Sequence, residues 1–177
     1  TIVAPNRVTA MGSLAFVLDL AGNVTRRTNT TTGEETNFTY DHRNRLSLAT
    51  VHPSNGAPAS HTLIFDYDYL DRLISRDIDG VKTWIVYDRE MPLAEFANGA
   101  SNINAMFFYS LDRLDDFHMV WRSATGEHWF LKDNIGSIRG ILGDTGTLLS
   151  WSDYDTFGTL QPGSSPANGE TLRFAGR

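Results

Sequence analysis

The chain has 177 residues, a net charge of −6 and no cysteine. The acidic balance argues against a nucleic-acid partner, because binding to phosphate groups needs a basic face, and the lack of thiols excludes disulfide bridges and thiolate metal sites. With 41% hydrophobic residues the sequence can bury a core, but it has no run of 18 apolar residues, so no membrane-spanning helix is expected.

Short β-prone runs alternate with turn residues in the first part of the chain. Residues 11–20 are mostly apolar and are predicted to form a strand that ends at a turn containing Asp19 and Gly22. Aspartate suits the first position of a type I turn, and glycine supplies the positive φ that lets the chain reverse. Residues 25–32 are rich in threonine and β-prone. Residues 52–60 have the composition of a loop.

The apolar runs become denser in the second part of the chain. Residues 84–87 and 106–109 are continuous apolar runs, typical of strands that are covered on both faces. Between residues 129 and 160, three runs separated by turns predict three strands of a meander. Residues 161–171 are predicted to be a loop before a final short strand. No segment favours a helix of three turns.

The predicted turns recur at a regular spacing. The residues that precede them lie 20 to 27 residues apart: Leu18, Tyr40, Tyr67, Tyr87, Phe108, Lys132 and Tyr154. An aliphatic residue follows each turn: Val24, Leu46, Leu73, Leu93, Leu114, Ile138 and Leu160. Glycines recur about midway between the turns: Gly33, Gly56, Gly80, Gly99, Gly126, Gly146 and Gly169. Such a period indicates a repeat architecture, here with two strands and two turns in each repeat.

The fold class predicted from this pattern is all-β, an antiparallel meander of about fourteen strands. Open sheets of more than roughly ten strands twist and curl, so repeats of similar length are expected to curl the sheet evenly. The alternative is a β-propeller, whose blades need roughly 40 to 50 residues each. Pairs of repeats would then differ systematically, and they do not.

Two turns carry a Tyr-Asp motif followed by Arg-Leu, in Tyr40-Asp41-His42-Arg43-Asn44-Arg45-Leu46 and Tyr67-Asp68-Tyr69-Leu70-Asp71-Arg72-Leu73. At these residues the sequence resembles the YD-repeat or Rhs-repeat family. Asn44 and Asp71 replace the glycine of the family motif, and both residue types tolerate the left-handed conformation. Residues 132–158 resemble the start of the Rhs-associated core, and residues 173–177 match its next landmark. Lys132 and Asn134 stand where the family often carries histidine, so no role of those histidines is carried over.

The resemblance implies a division into YD-type hairpin repeats (residues 1–128) and the start of a core-like segment (residues 129–177). Together these two segments are expected to form one continuous repeat domain of a longer chain. It also implies a spiral β-shell in a secreted or cell-surface protein. Such a shell encloses a C-terminal toxin or effector, or serves as an extracellular scaffold in teneurin-like relatives. The expected partners are therefore the rest of the parent chain and its cargo. Another copy of this chain, paired edge to edge through uncovered strands, is the alternative partner.

The repeat-motif residues are expected to be structural rather than catalytic. They are Tyr40, Asp41, Arg45, Tyr67, Asp68, Arg72, Tyr87, Asp88, Asp133, Gly136, Tyr154, Asp155 and Gly158. The favoured hypothesis is that tyrosines pack across strands and arginines pair with the turn aspartates. The five histidines show no paired ligand spacing, so neither a metal nor another cofactor is predicted.

Two other functions stay open. Tyrosine and arginine recur at the same positions of successive repeats. Their side chains could stack against carbohydrate, as in a carbohydrate- or cell-surface-binding module. Asp144-Thr145-Gly146 is the tripeptide of aspartic proteases, whose chemistry needs two carboxylates that share a proton and would here need a dimer. The same tripeptide coincides with a turn position of the repeat, and a turn explains it without chemistry.

Overall fold

The computed structural model describes residues 2–3, 7–97, 102–111, 116–156 and 158–165. All regular secondary structure in these ranges is β. The strands are β1 (Ile2–Val3), β2 (Arg7–Val8), β3 (Ala10–Met11), β4 (Leu14–Leu18), β5 (Val24–Asn29), β6 (Glu35–Tyr40), β7 (Leu46–His52), β8 (His61–Tyr67), β9 (Leu73–Ile78), β10 (Val81–Asp88), β11 (Met91–Ala97), β12 (Ile103–Tyr109), β13 (Phe117–Arg122), β14 (Gly126–Lys132), β15 (Ile138–Leu142) and β16 (Leu148–Trp151).

Each strand from β3 to β16 is hydrogen-bonded to its neighbours in sequence, so the fourteen strands form an antiparallel meander. Strands β1 and β2 pair separately. The predicted all-β meander is therefore confirmed. The chain divides into two compact units, Thr1–Trp84 and Ile85–Arg177. Two of the glycines predicted midway between the turns, Gly99 and Gly169, lie outside the described residues, as does the segment 172–177.

The first unit is a meander of mostly half-buried strands. A β-bulge precedes three of its turns, between Val17 and Leu18, between Thr39 and Tyr40, and between Asp66 and Tyr67. A bulge of this kind accompanies a type I turn whose last residue is left-handed. The repeated bulge therefore gives these hairpins the same register between the residue before the turn and the apolar residue after it.

The second unit has a hydrophobic core on one side of its strands. It contains Met91, Ala105, Phe117, Val120, Phe130, Ile138 and Ile141. The Phe117 ring packs edge to face against Phe107 at 5.9 Å and against Tyr109 at 6.0 Å between ring centroids. Such aromatic pairs add packing energy beyond the area that they bury.

The prediction that both faces of two apolar strand runs are covered is wrong for this chain. Trp84 and Val86 of β10 are 43% and 45% exposed, and Phe108 of β12 is 43% exposed. Successive side chains of a strand point to opposite faces, and on β10 Ile85 and Tyr87 are half-buried whereas Trp84 and Val86 are exposed. A continuous apolar run therefore did not identify which face has a partner.

Two predicted turns differ from the common form. Asp88 ends β10, and the connection to β11 is Arg89-Glu90, with Arg89 at a φ of 52°. Met91 stands where other turns have Gly, Asn or Asp, and the longer turn does not form there; Asp88 instead directly precedes a two-residue connection.

The turn after Tyr109 is longer than predicted. The Ser110 N–H donates to the Asp116 carbonyl at 2.9 Å, and Tyr109 pairs with Phe117. Phe117 takes the apolar position that pairs with Tyr109. Asp112 and Leu114 lie outside the described residues.

Candidate inter-repeat ladder

Five turns with aspartate at the first position share one backbone geometry. They span residues 19–23, 41–45, 68–72, 133–137 and 155–159. In each, the aspartate N–H donates to the carbonyl of the fifth residue at 2.9 to 3.0 Å, and its carbonyl accepts from the N–H of the fourth residue at 3.0 to 3.2 Å. The fourth residue has a positive φ: Gly22 98°, Asn44 60°, Asp71 67°, Gly136 86° and Gly158 85°. The Asp-to-Gly spacing in the sequence thus corresponds to a type I turn with a left-handed residue.

The aspartate carboxylate closes each turn. Its Oδ1 accepts a hydrogen bond from the N–H of the fifth residue, namely Asn23, Arg45, Arg72, Ser137 or Thr159, at 2.9 to 3.0 Å. A side chain that bonds to its own turn in this way makes aspartate preferable to other residues at the first position. The turn at residues 143–147 has the same pair of backbone hydrogen bonds with Gly143 at the first position.

In the YD motifs, the second carboxylate oxygen binds arginine. Asp41 Oδ2 accepts from Arg45 Nε at 2.8 Å and lies 2.7 Å from its Nη2. Asp68 Oδ2 accepts from Arg72 Nε at 2.7 Å and lies 2.6 Å from its Nη2. Paired contacts of this kind fix the plane of the guanidinium as well as its position. The fixed plane leaves Nη1 pointing away from the turn.

Arg45 uses that remaining nitrogen to contact the following Asp turn. Its Nη1 donates to the Asp68 carbonyl at 2.8 Å and to Asp71 Oδ1 at 2.7 Å. The guanidinium carbon also lies 4.8 Å from the centroid of the Tyr67 ring. One arginine side chain therefore joins two turns that are separated by a complete repeat.

The tyrosine before each YD turn makes a contact in the opposite direction. The Tyr40 hydroxyl donates to the Val24 carbonyl at 3.0 Å, and the Tyr67 hydroxyl donates to the Leu46 carbonyl at 2.9 Å. Val24 and Leu46 are the apolar residues that follow the preceding turn. The turn at residues 41–45 is thus connected on both sides, by Tyr40 to the residue after the preceding turn and by Arg45 to the following Asp turn. We call this set of contacts the inter-repeat ladder.

The second unit contains a variant of the ladder. Arg139 Nε donates to Asp133 Oδ2 at 2.8 Å, and its Nη1 donates to Asp153 Oδ1 at 2.7 Å. The Arg139 guanidinium also lies 5.3 Å from the centroid of the buried Tyr154 ring. Lys132 replaces the tyrosine and pairs with Asp116. An arginine therefore again connects its own Asp turn to the chain near the next Asp turn, here to Asp153 just before it.

The ladder lowers the pKa values of its carboxyl groups. The Arg45 guanidinium beside Asp41 lowers the pKa of that carboxyl to about 2. Burial acts to raise the pKa of Asp68, but hydrogen bonds from the Arg72 backbone and side chain outweigh it, and the pKa is lowered. Burial raises the pKa values of the Tyr40 and Tyr67 hydroxyls. These shifts keep the acids charged and the phenols protonated, as the ladder requires.

Several ladder residues were not among those expected from the sequence. Arg139, Asp71 and Asp153 bind arginine or aspartate partners between turns, and Arg43 Nη1 binds the Tyr69 carbonyl at 2.9 Å. Arg139 lies six residues after its turn aspartate, whereas Arg45 lies four after its own. A search for basic residues on the strand following each turn would have found it.

Tyr87 and Asp88 do not take the common arrangement. Both belong to β10, and the Asp88 carboxylate accepts a hydrogen bond from the Tyr109 hydroxyl at 3.2 Å. Tyrosine thus again reaches back by one repeat, but to a side chain rather than to a backbone carbonyl.

Asp144 lies on the exposed surface at the second position of the turn 143–147. Its carboxylate takes no part in closing that turn, because the first position holds Gly143. Within the ranges that the structure describes, no cluster of acidic or histidine side chains has a metal-binding arrangement. No helix in those ranges has the length and apolar character to cross a membrane.

The meander and its ladder define a class of protein, the β-repeat proteins in which Tyr-Asp turns join consecutive hairpins. The sequence matches the Teneurin YD-shell family over residues 4–177, and the chain belongs to that family. The resemblance to YD repeats is thereby confirmed. A sequence comparison with curated proteins found no match.

Solved structures of Tc toxin components have a similar fold. A crystal structure of TcdB2-TccC3-TEV aligns with a TM-score of 0.53 and 13% identity, covering 84% of this chain and 9% of that one. The Tc holotoxin pore of Photorhabdus luminescens, with a mutation in TccC3, aligns with a TM-score of 0.51 and 14% identity over 83% of this chain and 9% of that one. This chain thus spans about a tenth of the length of these structures. At such identities the likeness shows the fold alone.

Proposed function

We propose that the chain is a non-enzymatic wall segment of a larger YD shell, and that the shell encloses a C-terminal cargo. Membership of the YD-shell family and the fold of Tc toxin components support a structural role. The observation that carries the proposal is the inter-repeat ladder. Arg45 contacts its own turn and the next Asp turn, and Arg139 contacts its own turn and Asp153, two residues before the next Asp turn, so these charged side chains are engaged within the wall.

The rest of the parent chain is the principal partner in this proposal. Residues 1–128 would form YD hairpins of the wall, and residues 129–177 would begin the core-like segment. Strands β3 and β16 end the order of the meander and would pair with further strands of the parent chain. The same proposal assigns the protein to a secreted or cell-surface location, as the family implies.

Enclosure can be tested in the full-length protein that contains this chain. A protease titration compares the wild type with Arg45→Ala and with the cargo expressed alone. We expect wild-type cargo to be protected and Arg45→Ala to increase its rate of cleavage, because the ladder between two repeats is lost. Arg26→Ala is the matched control, since Arg26 faces Glu35 at 3.9 Å within one hairpin and joins no two Asp turns.

Two outcomes would contradict the proposal. Cargo that is cleaved equally fast in the wild-type protein and alone is not enclosed. Equal melting temperatures for the wild-type chain and Arg45→Ala would show that the ladder does not support the wall. Binding of the isolated chain to a glycan array would instead favour a carbohydrate-binding module.

A further inference from the structure

A cleft in the second unit lies on the face opposite to the hydrophobic core. Its volume is about 700 Å³. The apolar lining consists of Ile103, Met106, Phe108, Met119 and Trp121, and the polar lining of Asn102, Ser123 and Glu127. The cleft is open to solvent and shares with small-molecule sites a mostly apolar surface with a few polar groups.

The polar groups lie at one end of the cleft. Asn102 precedes β12, Ser123 follows β13 and Glu127 is near the start of β14. Because these neighbouring strands are antiparallel, all three residues lie at the same end of the sheet. Phe108 and Met119 form a cross-strand pair toward the other ends of β12 and β13. A ligand that fills the cleft must therefore be polar at one end and apolar along the rest of its length.

An aromatic ring and a carboxylate are adjacent at the polar end. Trp121 and Glu127 are directly opposite each other on β13 and β14, and side chains in such positions have Cβ atoms about 5 Å apart. Glu127 Oε2 accepts a hydrogen bond from Trp129 Nε1 at 2.8 Å, which orients the carboxylate. Among the described residues, Glu127 is the one charged group that lines the cleft.

The first unit contains the same combination with its cation in place. Lys82 Nζ lies 4.3 Å from the centroid of the Trp84 ring and 2.9 Å from Asp66 Oδ2. An ammonium group is attracted both to the face of an indole ring and to a carboxylate. In the cleft, Trp121 and Glu127 supply the ring and the carboxylate, and none of the described lining residues supplies a cation.

We propose that the cleft binds an organic cation in which an amine is joined to an apolar body. The ammonium group contacts the Glu127 carboxylate and the face of Trp121. The apolar body lies along Met106, Met119 and Phe108, where the flexible thioethers adapt to its shape. Asn102 and Ser123 can accept further hydrogen bonds from the ammonium group.

Three matched probes test the charge requirement on the wild-type 177-residue chain. They are 4-phenylbutylamine, 4-phenylbutanol and 4-phenylbutyrate, which have the same apolar body and carry a positive, neutral or negative end. Titration followed by tryptophan fluorescence and by calorimetry gives the three dissociation constants. We expect the amine to bind about tenfold more tightly than the alcohol, and the carboxylate to bind most weakly.

Glu127→Gln locates the site. Glutamine keeps an oxygen that can accept from Trp129 but removes the charge, so we expect the preference for the amine over the alcohol to fall to about twofold or less. Glu34→Gln, which removes an exposed carboxylate in the first unit, is the control and should leave the preference unchanged. Because the three-probe comparison uses the wild-type chain, it decides the question even if a variant folds poorly.

Equal affinity for the amine and the alcohol would overturn the proposal and leave an unselective apolar surface. No binding of the amine at millimolar concentration would also overturn it. The same conclusion follows if Glu127→Gln folds and keeps the full preference for the amine.

Discussion

Gly136 provides a direct test of the turn geometry that underlies the ladder. Its φ is 86°, and nothing lies within 4 Å of the position that a Cβ atom would take. A substitution there meets backbone strain without a clash. The left-handed conformation costs an L-residue about 1 to 2 kcal/mol, and alanine recovers about 0.4 to 1 kcal/mol by restricting the unfolded chain. We therefore expect Gly136→Ala to destabilise the chain by about 1 kcal/mol.

Two further substitutions grade the effect. Gly136→Asn should cost less than about 0.5 kcal/mol, because Asn44 occupies the same turn position with a φ of 60°. Gly136→Val should cost about 2 kcal/mol or more, since a β-branched residue is strongly disfavoured there. Urea unfolding followed by tryptophan fluorescence measures the series, and about 1 kcal/mol corresponds to a melting shift of about 2 to 4 °C.

The control is Gly143→Ala in the related turn at residues 143–147. Gly143 does not have a positive φ, and an added Cβ would meet the Leu149 side chain at 3.4 Å, an ordinary contact. This variant should unfold within about 0.5 kcal/mol of the wild type. If Gly136→Val unfolded at the same urea concentration as Gly143→Ala, a left-handed residue would not be required at position 136, and the turn argument would fail.

Four other results are expected. Gly143→Asp should stabilise the chain by about 0.5 to 1 kcal/mol, because the new carboxylate can accept from the Thr147 N–H as the other turn aspartates do; an unchanged urea midpoint would count against this. Asp144→Asn should change stability by less than about 0.5 kcal/mol, and a pepstatin-sensitive peptidase activity that this variant abolishes would restore the protease hypothesis. The Asp41 pKa of about 2 lies below its ordinary value of 3.8, so its stabilising effect is complete above about pH 4 and is lost as the pH falls toward 2; urea midpoints from pH 5 to pH 2 should fall less steeply in Arg45→Gln. Strands β3 and β16 end the strand order, and among the described residues Ser165 covers β16 at Trp151 alone, so the isolated chain should self-associate in sedimentation experiments, whereas a monomer at all concentrations would mean that these edges are protected.

The sequence by itself determined the strand meander and most of its turns. Aspartate at the first position and Gly, Asn or Asp at the fourth are local requirements of a single turn, so they are visible in the chain without knowledge of any distant contact. The period of the repeat and the register of residues on either side of the YD turns follow from the same local chemistry. The connection after Asp88 shows the limit of this reasoning, because there the fourth residue, Met91, favoured a different turn.

Only the tertiary structure decided which side chains meet between repeats and which strand face is packed. The contact of Arg45 with Asp71 and that of Arg139 with Asp153 depend on how neighbouring hairpins align, and different sequence spacings give the same connection. Burial depends on a partner surface as well as on the apolar character of the strand, so Phe108 is exposed although it lies in a continuous apolar run, whereas Phe117 is buried. Local chemistry fixes a turn within five residues, whereas packing and ion pairs between repeats depend on residues more than a dozen positions apart.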